Sequence, residues 1–295
     1  MPSPAIECAE FCVTHYNLAT TLGCGQAFRW KKIGDAWEGI VGSHWVRLRQ
    51  TPTGLHAEAI EPGDWQWLRH YLQLDVDLAE IIATFPQDDA MRAANSFCDG
   101  MRLLRQDPWQ CVASFICSST KQIVQIQQII ELLCRNFGEP VAVPDNVPSA
   151  NAFPTVGKIS TLSESALRNC KMGFRAPYLS ATARALAAGK MDLATLYDLP
   201  MEEARAALIE LPGVGIKIAD CVLLFAYGFP KAFPVDVWIA RALREIYFPK
   251  RRPKPPRLRH FSQTYFGPHS GYAQQYLFHY VRTTARSRPR RRRSR

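Results

Sequence analysis

Acidic residues are absent from the last fifty positions of the chain, because none follows Glu245. The same stretch holds fourteen lysines and arginines, so the first 245 residues carry 22 basic and 26 acidic side chains, a net charge of −4. The overall charge of +10 is therefore a property of the C-terminus. Residues 286–295 (RSRPRRRRSR) are predicted to be disordered. They fit an arm that binds phosphates, with a solvated tail or a localisation signal as the alternatives.

Paired cysteines and long apolar runs are also missing. The nine cysteines show no Cys-x-x-Cys spacing, and none follows Cys221, which argues against a disulfide framework and against a clustered iron–sulfur ligand set. An odd number of cysteines without a secretory signal predicts a reducing, intracellular environment. An apolar run such as 222–226 is far too short for a membrane span, so no membrane attachment is expected.

The hydrophobic periodicity changes along the chain. Residues 1–95 alternate apolar and polar positions, which predicts an antiparallel sheet with a flanking helix. Helical periods dominate afterwards, so we predict an α+β protein in which an N-terminal antiparallel β-sheet domain precedes mostly α-helical domains. The predicted parts are the sheet domain (1–95), a helical core (96–248), a basic loop with a C-terminal helix (249–281) and a basic tail (282–295). Predicted helices cover 65–72, 90–104, 108–118, 122–137, 164–170 and 178–188, and 250–259 is predicted as a loop.

The most informative segment, residues 211–236, reads LPGVGIKIADCVLLFAYGFPKAFPVD. Helical patterns at 202–209 and 216–227 flank its Pro-Gly-Val-Gly turn, which predicts a helix-hairpin-helix motif. Gly213 and Gly215 permit the positive-φ geometry of such a turn. The second helix begins with unpaired N–H groups that point outward, so the hairpin forms an anion site suited to a phosphate.

Two side chains beside the hairpin carry reactive groups. Lys217 lies in the first turn of the second helix, where the helix dipole and an apolar pocket both favour a neutral, nucleophilic amine. Asp236 precedes a further helical pattern, where it would be an N-cap held in its ionised form. A phosphate site, a nucleophilic lysine and a carboxylate together suggest chemistry on a nucleic-acid sugar. A solvated lysine and a plain capping aspartate are the alternatives.

The segment resembles the helix-hairpin-helix plus Gly/Pro–Asp element of base-excision DNA glycosylases, and within that superfamily most of all the 8-oxoguanine DNA glycosylase/AP lyase family. Four further stretches agree in the same chain order. They read GQAFRW (25–30), LLRQDP (103–108) with FICSS (115–119), GFRA (173–176) and GYAQQYLF (271–278). Five ordered matches are highly specific, whereas a hairpin alone is not. The resemblance implies a small sheet domain and helical domains that flank an active-site cleft.

The resemblance also implies the chemistry. Enzymes of this family flip the damaged nucleotide out of the duplex. The ε-amine of Lys217 would attack the sugar C1′, expel the base and leave an iminium, after which β-elimination cuts the strand. Asp236 would stabilise the developing positive charge. The amides of Gly213, Gly215 and Ile218 would hold a phosphate beside the lesion.

Base recognition follows from the same resemblance. The backbone carbonyl of Gly25 would accept the N7 proton that 8-oxoguanine has and guanine lacks. Gln274 would bond the Watson–Crick edge of the base, Phe278 would stack on one face, and Cys221 would lie against the other. Without the resemblance, Gly25 fits a strand bulge, Phe278 a core aromatic and Cys221 a buried structural cysteine.

Several positions that face the opposite strand depart from the family pattern. A Thr-Lys-Gln segment that begins at Thr120 replaces the family's three asparagines, which fill the gap left by the flipped base. Gln125 stands where the family has an arginine that reads the orphaned cytosine, although the second cytosine reader, Arg175, is present. Phe174 replaces a tyrosine wedge, and Trp238 replaces a histidine that contacts a phosphate. We therefore expect a relaxed preference for cytosine.

The resemblance sets the remaining expectations. The partner is double-stranded DNA that contains oxidised guanine, the protein is a monomer, and no cofactor is needed. The location is intracellular and with DNA, in a bacterial cytoplasm or nucleoid or in a nucleus. No metal is required, although the family often holds a structural cation on hairpin carbonyls, here those of Ile209, Leu211 and Val214.

Two alternatives to this function remain open. The first is a glycosylase for another damaged purine, such as an alkylated base. Enzymes of that kind without lyase activity generally lack a lysine at the position of Lys217. The second is a non-catalytic helix-hairpin-helix DNA-binding protein, which would leave the matches at Gly25 and Gln274 unexplained.

Overall fold

The computed structural model describes residues 5–287 of the 295-residue chain. Its N-terminal part is a five-stranded antiparallel sheet in the order β1-β5-β4-β3-β2. The strands are β1 (Ile6–Cys12), β2 (Lys31–Ile33), β3 (Ala36–Val41), β4 (His44–Thr51) and β5 (Gly54–Ile60). Two further short strands, β6 (Pro140–Val141) and β7 (Ala150–Asn151), pair separately.

Helices make up most of the remaining described chain, which confirms the predicted α+β fold. They are α1 (Leu18–Gly23), α2 (Gln66–Leu72), α3 (Leu78–Ala83), α4 (Asp89–Phe97), α5 (Pro108–Cys117), α6 (Ile123–Phe137), α7 (Val156–Thr161), α8 (Glu164–Asn169), α9 (Ala176–Ala187), α10 (Met201–Ile209), α11 (Ile216–Val222), α12 (Val237–Tyr247), α13 (Pro255–Tyr265) and α14 (Ser270–Ser287). Short 3₁₀ turns cover Gly173–Arg175 and Leu193–Asp198, and Leu223–Tyr227 extends α11 as a π-helical turn. None of the helices within residues 5–287 is both long and apolar enough to cross a membrane.

One face of the N-terminal sheet packs on α2. Val46 and Leu48 of β4 pair with Ala59 and Ala57 of β5, and all four side chains are fully buried. Leu48 and its neighbours share one cluster with Leu68 of α2, which is also fully buried. Burying one such leucine stabilises the fold by about 1.5–3 kcal/mol. This helix is the flanking helix that the sequence predicts.

The second core surrounds α5, which is buried along most of its length. α5 packs against α11, and Phe115 near its end stacks on Phe225 of the π-helical turn, with ring centroids 5.6 Å apart. The same helix therefore supports the second helix of the hairpin. Its C-cap, Ser118, accepts a hydrogen bond from Lys217 in the first turn of α11.

The predicted helix 90–104 is wrong in its second half, because α4 ends at Phe97. Gly100 adopts φ +75°, and its carbonyl accepts the amide of Asn17 at 2.7 Å. The chain that follows is not helical, and the side chain of Gln26 bonds two of its backbone groups. Its apolar residues are buried because this segment crosses between the sheet and the helical part, and not because they line a helix.

The predicted loop 250–259 is wrong beyond Lys254, because α13 begins at Pro255. Two consecutive prolines occupy its first turn, where a missing N–H costs nothing and the fixed φ already suits a helix. Pro255 and Pro256, which contributed to the loop prediction, therefore start the helix that follows.

The C-terminal helix extends past the predicted start of the basic tail at residue 282. α14 runs to Ser287, and Arg282 is buried with 7% of its surface exposed. The helix continues because Arg282 lies one turn after Phe278 on a face that packs against the protein. Disorder is predicted for 286–295. Arg286 and Ser287 instead belong to this helix, and residues 288–295 lie outside the described residues.

Candidate DNA-binding and active site

The hairpin between α10 and α11 is built around a glycine that no other residue can replace without strain. Gly213 adopts φ +81°, and a Cβ at this position would lie 2.6 Å from the Cβ of Tyr178. The hydroxyl of Thr182 donates to the Pro212 carbonyl at 2.7 Å. The turn is therefore anchored on α9, and both boundary predictions for this motif are confirmed to within one residue.

The backbone amides predicted to hold a phosphate have no backbone acceptor in the described residues. Within residues 5–287, no backbone carbonyl accepts the N–H groups of Gly213, Gly215 or Ile218. Both glycines are exposed, and Gly215 is the N-cap of α11 without any side chain to cap it. An uncapped helix start presents partial positive charge to solvent, which suits an anion.

A buried ion pair that sequence reasoning missed holds the two hairpin helices together. Nε of Arg205 on α10 lies 2.7 Å from Oδ1 of Asp220 on α11. Burial raises the pKa of Asp220 to about 6, although the Arg205 charge pulls it down. The signal was present in the sequence, because Asp220 is an acidic residue inside an otherwise apolar helical pattern.

Lys217 projects from the first turn of α11 onto the end of α5. Its Nζ donates to Oγ of Ser118 at 3.2 Å and lies 5.3 Å from the ring centroid of Phe115. The side chain is half-buried, so the amine is neither sealed in the core nor free in solvent. The solvated-lysine alternative is therefore disfavoured, while its neutral, nucleophilic state stays a prediction.

Asp236 is the N-cap of α12, as predicted, and Oδ1 accepts the Ile239 amide at 2.8 Å. Burial raises the pKa of this carboxyl above its ordinary value, while the amides of Ile239 and Trp238 and the charges of Lys217 and Arg282 pull it down. The expectation that the helix start alone keeps it ionised is therefore incomplete, because desolvation outweighs the cap. The charge of Lys217 is one of the influences on this carboxyl, and their joint role in catalysis stays a prediction.

Gly25 lies in the loop after α1 and not in a strand, so the bulge alternative is wrong. It adopts φ +90°, and a Cβ there would lie 2.4 Å from Cδ1 of Ile123 and 3.0 Å from Nη1 of Arg282. The neighbouring Gln26 is fully buried, and its amide group donates to the carbonyls of Thr21 and Arg102. These bonds hold the loop rigidly, as a backbone carbonyl that reads a base requires.

Gln274 and Phe278 lie one turn apart on α14, beside this loop. Gln274 is buried, and its Oε1 has no hydrogen-bond partner within residues 5–287. A buried, unpartnered amide oxygen costs free energy, so it marks a position that a ligand donor would satisfy. Phe278 is half-buried at the edge of the core. Cys221, on α11, is buried, and burial raises its pKa to about 12, so it is a neutral thiol.

The wedge region brings Thr120, Phe174 and Arg175 together. Phe174 is 55% exposed, and the guanidinium carbon of Arg175 lies 4.2 Å from its ring centroid. Arg175 itself is buried and donates to the carbonyls of Ser119 and Met172 and to Oγ1 of Thr120, the last at 2.6 Å. The exposed ring can therefore reach DNA, while the guanidinium is bonded within the protein.

Gln125 is turned toward its own helix. Its Oε1 accepts the amide of Gln122 at 3.1 Å, so the side chain caps the start of α6. Sequence reasoning missed two exposed apolar residues nearby in the chain, Val124 beside Gln125 and Val237 beside Asp236, which are 61% and 79% exposed. Each lies in the first turn of a capped helix, and an apolar residue at that position is the signal that could have found them.

A groove of about 500 Å³ connects the hairpin with the wedge. Phe174, Arg175 and Tyr178 line one side of it, and residues 209–215 line the other. The carbonyls of Ile209, Leu211 and Val214 belong to this hairpin wall, and that of Leu211 already accepts the Val214 amide at 3.0 Å. The structural cation at these carbonyls stays a prediction.

Comparisons with known proteins agree with this architecture. Residues 10–112 match the family model of the 8-oxoguanine DNA glycosylase N-terminal domain, and residues 113–268 match that of the HhH-GPD superfamily base excision DNA repair proteins. The chain is 32% identical over 283 residues to the N-glycosylase/DNA lyase OGG1 of Arabidopsis thaliana, which covers 90% of this chain and 77% of the relative. It is 33% identical over 275 residues to the N-glycosylase/DNA lyase of Saccharomyces cerevisiae, with 82% and 70% covered.

A solved structure extends the likeness to the whole fold. The 8-oxoguanine glycosylase/lyase of Clostridium acetobutylicum, in complex with double-stranded DNA containing cytosine opposite to 8-oxoguanine, superposes with a TM-score of 0.86 at 28% identity. The match covers 97% of this chain and 100% of that one. By its sequence domains, its relatives and its fold, the chain belongs to the 8-oxoguanine DNA glycosylase family of the HhH-GPD superfamily.

Proposed function

We propose that this protein excises 8-oxoguanine from duplex DNA and then cuts the strand as an AP lyase through a Schiff base on Lys217. The observation that carries the proposal is the position of the Lys217 amine, which lies in the first turn of an uncapped helix and donates to Oγ of Ser118 at 3.2 Å. The relatives named N-glycosylase/DNA lyase support the same pair of activities. DNA is then the partner, so the protein works inside the cell, in a bacterial cytoplasm or nucleoid or in a nucleus.

The reaction needs a neutral amine close to the flipped sugar. Ser118 and the ring of Phe115 hold the Lys217 side chain in one orientation, which lowers the entropic cost of attack on C1′. The new C–N bond displaces the base, and opening of the sugar ring gives an iminium. Loss of a C2′ proton then expels the 3′ phosphate. Asp236 stabilises the positive charge that develops, and partial burial strengthens this effect.

The base pocket that we propose lies between the Gly25 loop, α14 and α11. The Gly25 carbonyl accepts the N7 proton of 8-oxoguanine, and guanine would place a lone pair there instead. The unpartnered oxygen of Gln274 accepts a donor from the Watson–Crick edge. A hydrogen bond of this kind contributes about 1 kcal/mol, and an unmet one costs about 1–3 kcal/mol. Phe278 and Cys221 provide the two apolar faces.

Opposite-base selection is weak in this proposal. Gln125 is engaged in a helix cap, and the guanidinium of Arg175 is bonded to the protein. The protein therefore presents fewer donors to an orphaned cytosine than two free arginines would. The exposed ring of Phe174 fills space in the duplex without reading the base.

Borohydride trapping on a duplex with one 8-oxoguanine tests the proposal. We expect a covalent adduct with the wild-type protein, its loss in Lys217→Gln, and its retention in Lys190→Gln, which alters an exposed lysine in the turn after α9. Excision without an adduct would support a glycosylase for other damaged purines. Binding without excision would support a non-catalytic DNA-binding protein.

A further inference from the structure

Arg282 lies within the region that we assign to the base. It follows Phe278 by one helical turn and Gln274 by two, so all three residues share a face of α14. Its guanidinium carbon is 5.1 Å from the ring centroid of Phe278. Its Nη1 is 3.0 Å from the point where a Cβ on Gly25 would stand. The side chain therefore bridges two groups that would hold the base.

The charge of Arg282 also acts on Asp236 and on the residue that precedes Gly25. Its positive charge lowers the pKa of Asp236 and that of Cys24, the residue before Gly25. An arginine that is 7% exposed is unusual, because burying a cation is costly. The structure retains it in the pocket wall, although the sequence assigns it to the start of a solvated tail.

We propose that Arg282 is a further base-recognition residue, whose guanidinium donates to an acceptor oxygen on the N7 edge of the flipped 8-oxoguanine. This inference rests on the proposed function. The N7 edge of 8-oxoguanine presents O6 and O8 on either side of the N7 proton. The carbonyl of Gly25 takes that proton, and a guanidinium, which only donates, is complementary to an adjacent oxygen. This role requires the guanidinium, now 5.1 Å from the ring centroid of Phe278, to give up that position when the base stacks there.

Substrates with and without the damaged base separate base recognition from an effect of Arg282 on Asp236 or on the fold. Full-length wild type, Arg282→Met and Arg282→Lys are assayed by single turnover on two duplexes, one with 8-oxoguanine and one with a preformed abasic site. A pH of about 8 keeps carboxyls ionised. We expect Arg282→Met to slow base excision about tenfold or more, and cleavage at the abasic site by less than about twofold. Arg282→Lys, which keeps the charge but loses the planar fork, should fall in between.

Other outcomes would overturn the proposal. Equal losses on both duplexes would mean that Arg282 acts through Asp236 or the fold. Faster excision in Arg282→Met would mean that the arginine only obstructs the pocket. Wild-type rates in Arg282→Lys would mean that charge alone matters. An active wild type with an equally active Arg282→Met refutes this inference only, whereas a wild type that neither excises nor forms an adduct refutes the proposed function.

Two controls separate a loss of base recognition from misfolding and from a general effect of removing an arginine. Melting temperatures of the variants show whether the loss of a buried side chain weakens the fold. Arg92→Met removes an arginine that pairs with Asp89 on the surface of α4 and is 58% exposed. This control should leave excision unchanged, so any general effect of removing an arginine is measured separately.

Discussion

Helices α11 and α12 begin about twenty residues apart in the chain, and they differ at their first turns. The amides at the start of α11 have no side-chain cap, whereas those of α12 have one. The first turn of any helix leaves N–H groups without partners. α11 starts at Gly215, which has no side chain, so its amides stay open. α12 starts behind Asp236, whose carboxylate accepts the Ile239 amide at 2.8 Å.

The difference shows that the unpaired amides of a helix start can either bind an anion or hold a capping carboxylate. In the proposed function, the uncapped start would bind a phosphate of the substrate and would bring Lys217, in its first turn, to the adjacent sugar. The capped start fixes the orientation of the Asp236 carboxylate, which in the proposed function would face the positive charge that forms. α6 offers a third case, because Oε1 of Gln125 accepts the Gln122 amide at its start and that oxygen is therefore held by the helix.

Replacing Asp236 tests the capped start and should give the largest effect. Asparagine caps a helix about as well as aspartate, so Asp236→Asn keeps the start of α12 and removes the charge. We expect single-turnover excision to fall by about 100-fold or more, with DNA affinity and melting temperature little changed. Asp236→Ala should add a stability loss of about 1 kcal/mol. Near-normal turnover in the asparagine variant would show that Asp236 is only a cap.

The uncapped start is tested by adding a side chain to the hairpin. Gly213→Ala combines a positive φ of +81° with a contact of 2.6 Å to Tyr178, so the turn has to shift. Strain of about 1–3 kcal/mol should weaken affinity for a duplex with an abasic-site analogue about tenfold, as measured by fluorescence anisotropy. The matched control is Gly189→Ala, which has φ +69° and no atom within 4 Å. Equal losses in the two variants would contradict a specific role of the hairpin.

The start of α6 predicts a smaller effect on specificity. Wild-type excision rates should vary little when 8-oxoguanine is paired with C, T, G or A, because the amide of Gln125, whose Oε1 is held in the cap, offers fewer donors than an arginine would. Gln125→Arg should raise the preference for cytosine several-fold, since arginine can donate to it, and cost about 0.5–1 kcal/mol of stability through the lost cap. A steep preference for cytosine in the wild-type protein would refute this interpretation of Gln125.

The smallest expected effect on the reaction concerns Asp220, which acts through the pH dependence of folding. Burial raises its pKa to about 6 from the model-peptide value of 3.8, so the folded state holds the proton more tightly than the unfolded state. The stabilisation from this group is complete at acidic pH and is lost as the pH rises toward 6. Asp220→Asn should therefore flatten the pH dependence in this window, by on the order of 1 kcal/mol per pH unit, in denaturant titrations. An identical slope in both proteins would contradict it.

Local signals were sufficient for the hairpin and its neighbours. The helix formers before Gly213, the apolar run after Gly215 and the aspartate before a helical pattern each depend on residues a few positions apart. These patterns predicted both hairpin helices and the Asp236 cap, whereas the family was indicated by the resemblance of five ordered stretches. The N-terminal sheet was predicted in the same way, because strand alternation and turn residues are also local.

Tertiary structure alone decided which distant residues meet. The end of α4 depends on Gly100 and on Asn17, which lie far apart in the chain. The partners of Arg175 and the burial of Arg282 depend on loops and helices that come together only when the core packs. Helix propensity and capping are set by neighbours in the chain, whereas burial, charge pairing and pKa shifts are set by neighbours in space, which the order of residues does not specify.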